Sequence, residues 1–433
     1  MVTAVDYCHT TPKIERVALN NKRIVITGMG CVSSVGNSVA ELWDGLVSGK
    51  SGIGPITAFD ASEMRTRIGG SVKNFDVGDY MNVKVAKRLD PFCHYAMAAA
   101  KEAIAQSGLD MTKTDPTRVA VCVGSGVGGL QTIENQIRRL HAGGPRRVSP
   151  FLVPMMISDM ASGCISIEHG CQGPNFGHVS ACATGSHAIG EAFWILKRGD
   201  ADAIVAGGAE SATHSPIGVA GFCSAKAMTV RNDDPQRASR PFDKDRDGFV
   251  IADGAGILVM ETLDSAKARG AEIIAEMIGY GASGDAYHIT SPHPEGDGAA
   301  RAITTCLKRA KLNVTDVDYV NAHGTSTQMN DKYETLALKT AFGDYAETLP
   351  VSSTKSLTGH ALGAAGGIEA IASIKAIVTG CIPGTWNYET PDPDCDLNYV
   401  PNQTMERNVD VAISENFGFG GHNAVVAFRK FNG

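Results

Sequence analysis

The 433-residue chain contains no Cys-x-x-Cys pair, although it carries 11 cysteines. An odd number of scattered thiols argues against a disulfide framework or a zinc ribbon and points to reduced cysteines in a cytoplasmic compartment. The first 22 residues lack an apolar core and hold Asp6, Lys13, Glu15 and Arg16. No secretory signal is read there, and residues 1–22 are expected to form a flexible leader. No run approaches about 18 uninterrupted apolar residues, so no membrane span is expected. A basic excess is missing too: the net charge of -7 gives no reason to expect nucleic-acid binding.

Three motifs fail for want of one partner each. Gly124, Gly126 and Gly129 form GxGxxG after an apolar run, but the following region is basic and proline-bearing, with no acidic residue to hold a ribose. A tight turn with close helix packing is the reading kept. Asp243, Asp245, Asp247 and Gly248 imitate a calcium loop whose twelfth position is Gly254 and not glutamate, so a polar turn tied by Arg240 and Arg246 is expected. His323 and His360 lack HExxH or cysteine-pair context, and no metal is expected.

What is present is alternation. Short apolar runs recur at 23–27, 119–123, 203–206, 257–260, 319–321 and 411–414, with alanine-rich helical patterns such as 94–107 and 299–310 between them. This favours an α/β fold with mostly parallel strands covered on both faces. Thr184–Gly190 and Thr358–Gly363 each open a long apolar helix, an internal echo that hints at duplication.

Cys182 lies where a small extended segment, 178–181, turns into a helix that ends at Lys197, Arg198 and Gly199. Free N–H groups and the helix dipole favour a thiolate there. The local sequence leaves nucleophile and buried thiol both open. His323 in VNAHGTSTQMND and His360 in SSTKSLTGHALGAAGG each follow a strand or loop end beside glycine, which fits a converged site. The glycine-rich SENFGFGGHN could supply oxyanion-hole N–H groups around Phe419.

ACATGSHAIGEA, NAHGTSTQMND, TKSLTGHALGAAGGIEA and NFGFGGHN, in this order and spacing, resemble the β-ketoacyl-acyl carrier protein synthases, particularly their long-chain elongating members. The resemblance runs from about Lys22 to the C-terminus and includes RPFDKDRDGFVIADGAG. It implies a thiolase-type fold: a five-layered α/β/α/β/α sandwich of two duplicated halves, 23–270 and 271–433, in a homodimer. It also implies decarboxylative condensation of an acyl thioester with malonyl-acyl carrier protein, with no cofactor beyond the carrier's phosphopantetheine.

Residue by residue, the resemblance makes Cys182 the acylated nucleophile and His323 and His360 the pair that stabilises the malonyl enolate. Cys182 and Phe419 would supply the oxyanion hole, with Phe419 also a gate. Lys355 would organise the histidine loop with Glu369 as its acidic partner. Thr325 and Thr327 would bind the pantetheine arm, Phe249 and Phe222 would line the substrate site, and Val127 would floor the acyl pocket. Lys84, Lys87, Arg88, Arg146, Arg147 and Arg231 would dock the carrier protein. Gln328 stands where proline is usual, and His422 where threonine is usual. His187 is expected to pack on its helix. A non-catalytic chain-length partner would lack Cys182, a degradative thiolase would need a second cysteine, and an initiating synthase would have one histidine. The remaining alternative is a stand-alone ketosynthase of a specialised polyketide or unusual-lipid pathway.

Overall fold

The computed structural model describes residues 22–433, so Cys8 and all but the last residue of the expected leader lie outside the described residues. Ten strands join in one sheet. In chain order they are β1 (Ile24–Ser33), β2 (Val119–Gly124), β3 (Asn175–Phe176), β4 (Ala203–Glu210) and β5 (Gly254–Thr262). They continue with β6 (Ala275–Gly284), β7 (Tyr319–Asn321), β8 (Val351–Ser352), β9 (Val411–Gly418) and β10 (His422–Arg429). Six helices recur between them: α1 (Pro91–Ser107), α2 (Met160–His169), α3 (Thr184–Arg198), α4 (Asp297–Ala310), α5 (Gln328–Phe342) and α6 (Ala365–Thr379).

The chain therefore reads β-α-β-α-β-α-β-β twice. From the middle outward, one half of the sheet runs β1-β5-β4-β2-β3 and the other β6-β10-β9-β7-β8. Pairing sense agrees at every step: antiparallel, antiparallel, parallel, parallel in each half. Even the irregularities match, because β1 slips register between Ile26 and Gly28 and β6 slips against β10 at the equivalent place, beside Met277 and Gly279. The three-residue β1–β6 ladder joins the halves.

Helices α3 and α6 touch each other and strands of both halves, while α1 and α2 cover one outer face and α4 and α5 the other. Three large apolar clusters follow: one around α3 and α6, one under α1 and α2, and one under α4 and α5. These are the five layers expected. The expectation of mostly parallel pairing needs correction, since four pairings are parallel and five, counting β1–β6, are antiparallel. Helices on both faces make antiparallel strands as uniformly apolar as parallel ones, so apolar runs alone did not distinguish them.

The sequence echo was real but misregistered. The turns that match are Ala181–Ala183 before α3 and Leu362–Ala364 before α6, and their first residues share strained positive φ values, 51° and 45°. What repeats is a backbone path: a strained first residue, three small residues, then glycine at 185 and 366.

Glycine also sets the helix–sheet distance. A Cβ on Gly30 would stand 1.9 Å from the Ala99 carbonyl oxygen, and one on the equivalent Gly281 would stand 2.0 Å from that of Ala302. Gly54 has open space around it. Gly30→Ala and Gly281→Ala should each cost about 2–3 kcal/mol in urea titrations, against less than about 0.5 for Gly54→Ala. Equal costs at all three positions would contradict the close-approach argument.

Candidate active site

The turn at 181–183 aims Cys182 into a cavity of about 370 Å³. His323, at the end of β7, and His360, before the second turn, line the same cavity. Their rings meet edge to face with centroids 5.3 Å apart. Both are buried, and both are held well below the usual histidine range, first by burial and then by the nearby Lys355 charge. They are therefore neutral imidazoles at physiological pH, able to donate hydrogen bonds without carrying charge.

Each histidine is fixed through its backbone. The His323 and Gly324 N–H groups donate to the two carboxylate oxygens of Glu334, at 2.6 and 2.7 Å. The His360 N–H donates to Val250 O at 2.7 Å, and His360 O accepts from Ala252 N at 2.9 Å. Ser353 Oγ, donating to Gly324 O at 2.6 Å, joins the two histidine loops. Lys355 and Glu369 form a fully buried ion pair behind them, and Asn416 Nδ2 donates to the other Glu369 oxygen at 2.7 Å.

The N–H groups of Phe419 and Cys182 both face the Cys182 thiol. Gly418 makes this possible: a Cβ there would lie 3.1 Å from the Cys182 nitrogen and 2.8 Å from Ser180 O. Two amides converging beside a thiol at a helix N-terminus are an arrangement chemically able to receive an oxyanion. The expectation of a resting thiolate is corrected, however. Burial pushes the Cys182 thiol up to about 12, outweighing the Lys355 charge and the two N–H groups, with Glu210 adding to the rise. Desolvation disfavours the anion more than the helix end favours it.

An aromatic chain lines the cavity. Phe419, 37% exposed, is 6.5 Å by centroid from Phe222, which is 5.5 Å from Phe249, itself 5.4 Å from His360. Thr325 and Thr327 also line it and hydrogen-bond each other at 2.9 Å. Val127 is not among the lining residues; its N–H is directed to Glu210 at 3.4 Å. Gln328 occupies the first position of α5, where proline's fixed φ and missing N–H are well suited; glutamine adds a further N–H at this exposed helix start. His422, exposed at the start of β10, stands 6.4 Å from the His187 ring. His187 does more than pack: its Nδ1 bonds Ser180 Oγ at 2.7 Å, bracing the turn before Cys182.

Other sequence readings resolve here. Asp243 accepts N–H groups of Asp245, Glu389 and Thr390, while Arg246 donates to its carbonyl, so this stretch is a tied turn. A Cβ on Gly129 would meet Met155 O at 2.2 Å and one on Gly124 His178 O at 2.2 Å, so the GxGxxG glycines serve close packing. The basic residues divide. Arg88 stacks over Phe151 at 4.8 Å, so the short helix that holds Lys84 and precedes Lys87 and Arg88 is linked to the segment that follows Arg146 and Arg147 in the chain. Arg231 is bound instead to Asp245 O at 2.7 Å and lies 3.7 Å from Asp247, a residue of the cavity wall.

Sequence reasoning missed Glu210, Glu334, Asp285 and Asn423. Asn423 Nδ2 donates to Asp285 Oδ1 at 2.7 Å, and the Gly420 N–H donates to Ile289 O at 2.8 Å, so the 285–292 segment braces the Phe419 turn. Glu210 was visible as an acidic residue ending a wholly apolar strand, a position that demands buried partners.

Comparison with known proteins identifies the family. Residues 21–266 match the beta-ketoacyl synthase N-terminal domain, and 274–389 match its C-terminal domain. The chain belongs to the beta-ketoacyl synthase family. It is 52% identical over 413 residues to 3-oxoacyl-[acyl-carrier-protein] synthase 2 of Synechocystis, covering 95% of this chain and 99% of that one. It is 50% identical over 412 residues to the protein of the same name from Staphylococcus aureus, with the same coverage. Among solved structures, a beta-ketoacyl synthase from Burkholderia phymatum superposes with a TM-score of 0.89 at 34% identity, covering 95% of this chain and all of that one. The ishigamide ketosynthase/chain length factor gives 0.88 at 35% identity, with the same coverage.

Because burial keeps Cys182 protonated, its alkylation by iodoacetamide should rise about tenfold per pH unit from 7 to 9. A plateau below pH 8 would show a stabilised resting thiolate instead.

Proposed function

We infer that this synthase condenses an acyl group, held as a thioester on Cys182, with malonyl-acyl carrier protein, lengthening the chain by two carbons in fatty-acid biosynthesis. The observation that carries this is one cavity holding a thiol under two amides and, opposite, a pair of neutral histidines.

The chemistry follows from those groups. Cys182 sulfur attacks the acyl thioester carbonyl while the Cys182 and Phe419 N–H groups receive the oxyanion. The departing pantetheine sulfur needs a proton, and the protonated Cys182 has one to give, so the exchange is proton-neutral. Malonyl thioester then loses carbon dioxide, and its two bonding electrons become an enolate whose oxygen accepts hydrogen bonds from His323 and His360. The enolate carbon attacks the acyl carbonyl, the same oxyanion hole serves again, and the Cys182 sulfur leaves and regains a proton. Buried Lys355 assists by holding both imidazoles neutral through its charge. No cofactor of the protein enters these steps. A role in a specialised polyketide or unusual-lipid pathway is the second reading; identity of 50–52% to fatty-acid-type synthases, against 35% or less to the ketosynthase structures with a specialised product in their names, favours the first.

We further propose a cytoplasmic homodimer that docks an acidic carrier protein. The edge strand β3 is exposed, and Val153, Ile167 and Val179 near it are 59%, 83% and 57% exposed, an apolar border suited to a second copy. One solved ketosynthase neighbour is titled as a complex with its acyl-carrier protein. Lys84, Lys87, Arg88, Arg146 and Arg147 are all exposed and form the candidate docking surface, with Arg231 nearer the cavity wall. Sedimentation should show twice the 45.4 kDa chain mass at both low and high salt, with carrier-protein association lost at high salt. A monomer, or salt-insensitive carrier binding, would contradict these assignments.

Intact mass spectrometry with acyl-carrier proteins tests the central reading. Acylation should appear on the wild type and vanish in Cys182→Ala. His360→Ala should still acylate but lose condensation by roughly 100-fold or more. Acylation of Cys182→Ala would remove the nucleophile assignment, and equal loss of both steps in His360→Ala would remove the division of roles.

A further inference from the structure

The two halves place different groups at matching positions. Glu210 ends β4 opposite Gly254, and Gly418 ends β9 opposite His422, so these residues correspond. The turns before α3 and α6 likewise match Cys182 to Gly363. In one half Gly418 leaves room for the Phe419 and Cys182 amides to receive an oxyanion. In the other, Gly363 N donates to Glu210 Oε2 at 3.1 Å, joined there by Gly126 N at 2.8 Å, while Ser125 Oγ donates to Oε1 at 2.7 Å. Glu210 is fully buried, and among the described residues no cation pairs with it. The glycines are required: a Cβ on either Gly126 or Gly363 would come within 2.8 Å of Glu210 Oε2.

We propose that Glu210 is a positioning residue whose carboxylate fills the second half's copy of the oxyanion pocket, clamps the Ser125–Val127 loop to the turn after His360, and opposes ionisation of Cys182. The clamp bears on the site directly, since Leu362, next to Gly363, lines the substrate cavity beside His360. The charge bears on it as well. Two charged side chains act on the Cys182 thiol: Lys355 favours the thiolate and Glu210 disfavours it. Burial raises the Glu210 carboxyl to about 7, so its charge is present above neutral pH and adds to the cost of forming the thiolate there. The hydroxyl and amide donors around it, from Ser125, Gly126, Val127 and Gly363, are what hold it ionised there. A resting thiol is thereby protected from oxidation and stray alkylation.

This rests on Cys182 being the acylated residue. The test uses Glu210→Gln, which keeps size but offers one acceptor oxygen for donors that now share two. Acyl groups are mapped to Cys182 by peptide mass spectrometry in every sample, so failure of the nucleophile reading is seen separately. Expected results are a thermal midpoint within a few degrees of wild type, iodoacetamide alkylation at pH 8.5 faster by about 3- to 10-fold, and condensation slowed about tenfold while acylation stays within about threefold. Alkylation and both half-reactions at wild-type rates would overturn the proposal. So would equal loss of both half-reactions without faster alkylation, which marks a purely structural role. If Glu210→Gln does not fold, Ser125→Ala removes one donor from the same clamp and should slow condensation about threefold more than acylation; no difference would overturn the proposal.

Discussion

Everything in this molecule is arranged around the meeting of two helix N-termini. Helices α3 and α6 approach each other so closely that backbone touches backbone. A Cβ on Gly185 would stand 2.8 Å from the Gly367 nitrogen, one on Gly366 2.4 Å from the Ser186 nitrogen, and one on Gly208 2.1 Å from Gly363 O. No side chain larger than hydrogen fits at those points, and the whole central layer is spaced by them. Two positive helix ends are thus brought beside one cavity, a setting that favours the anionic intermediates of acyl transfer and condensation.

That convergence has a cost which the polar groups offset. Glu369, bonded to Lys355 and Asn416, and Glu210, bonded to backbone amides, are both buried near the helix starts. Asn416 in turn accepts from Ser186 in the first turn of α3, so one hydrogen-bond path links both helices, the last part of β9 and the lysine whose charge adds to burial in keeping the histidines neutral. Removing one member of such a buried network leaves a charge without a partner, which explains why the site's supports extend well beyond the groups that touch substrate.

Much of this was legible in the sequence. The strands at 119–123, 203–206 and 319–321 were plain because their β-branched, apolar residues face helices on both sides. The Cys182 turn was placed correctly by small residues before a helix with a basic, glycine-capped end. The strand Ala275–Gly284 was not legible, because glycine and alanine fill it so that α4 can approach closely. Two-residue strands such as Val351–Ser352 leave no periodicity to read. Glu334 escaped notice because a carboxylate in a helix looks like a surface residue until its donors, the His323 and Gly324 amides, are seen; Glu210 carried a signal in its apolar strand, but its donors come from loops distant in sequence.

Comparing the halves shows how a duplicated frame becomes a single site. Where one half has Cys182 the other has Gly363. Alignment through the β2–β4 and β7–β9 ladders likewise places Gly124 at the position of His323. The proposed nucleophile is thus kept on the first half's turn and a histidine on the second half's strand end, and each has a glycine as its counterpart. Glycine at the counterpart positions is no accident of drift, since side chains there would collide with His178 O or with the Gly126 amide. The positions corresponding to Cys182 and His323 are therefore closed to side chains by backbone and by Glu210. A symmetric pair of sites would need cysteine and histidine on both sides of a junction whose backbones already touch, and there is no room for them. One active site per chain is the packing consequence of placing two helix N-termini in contact.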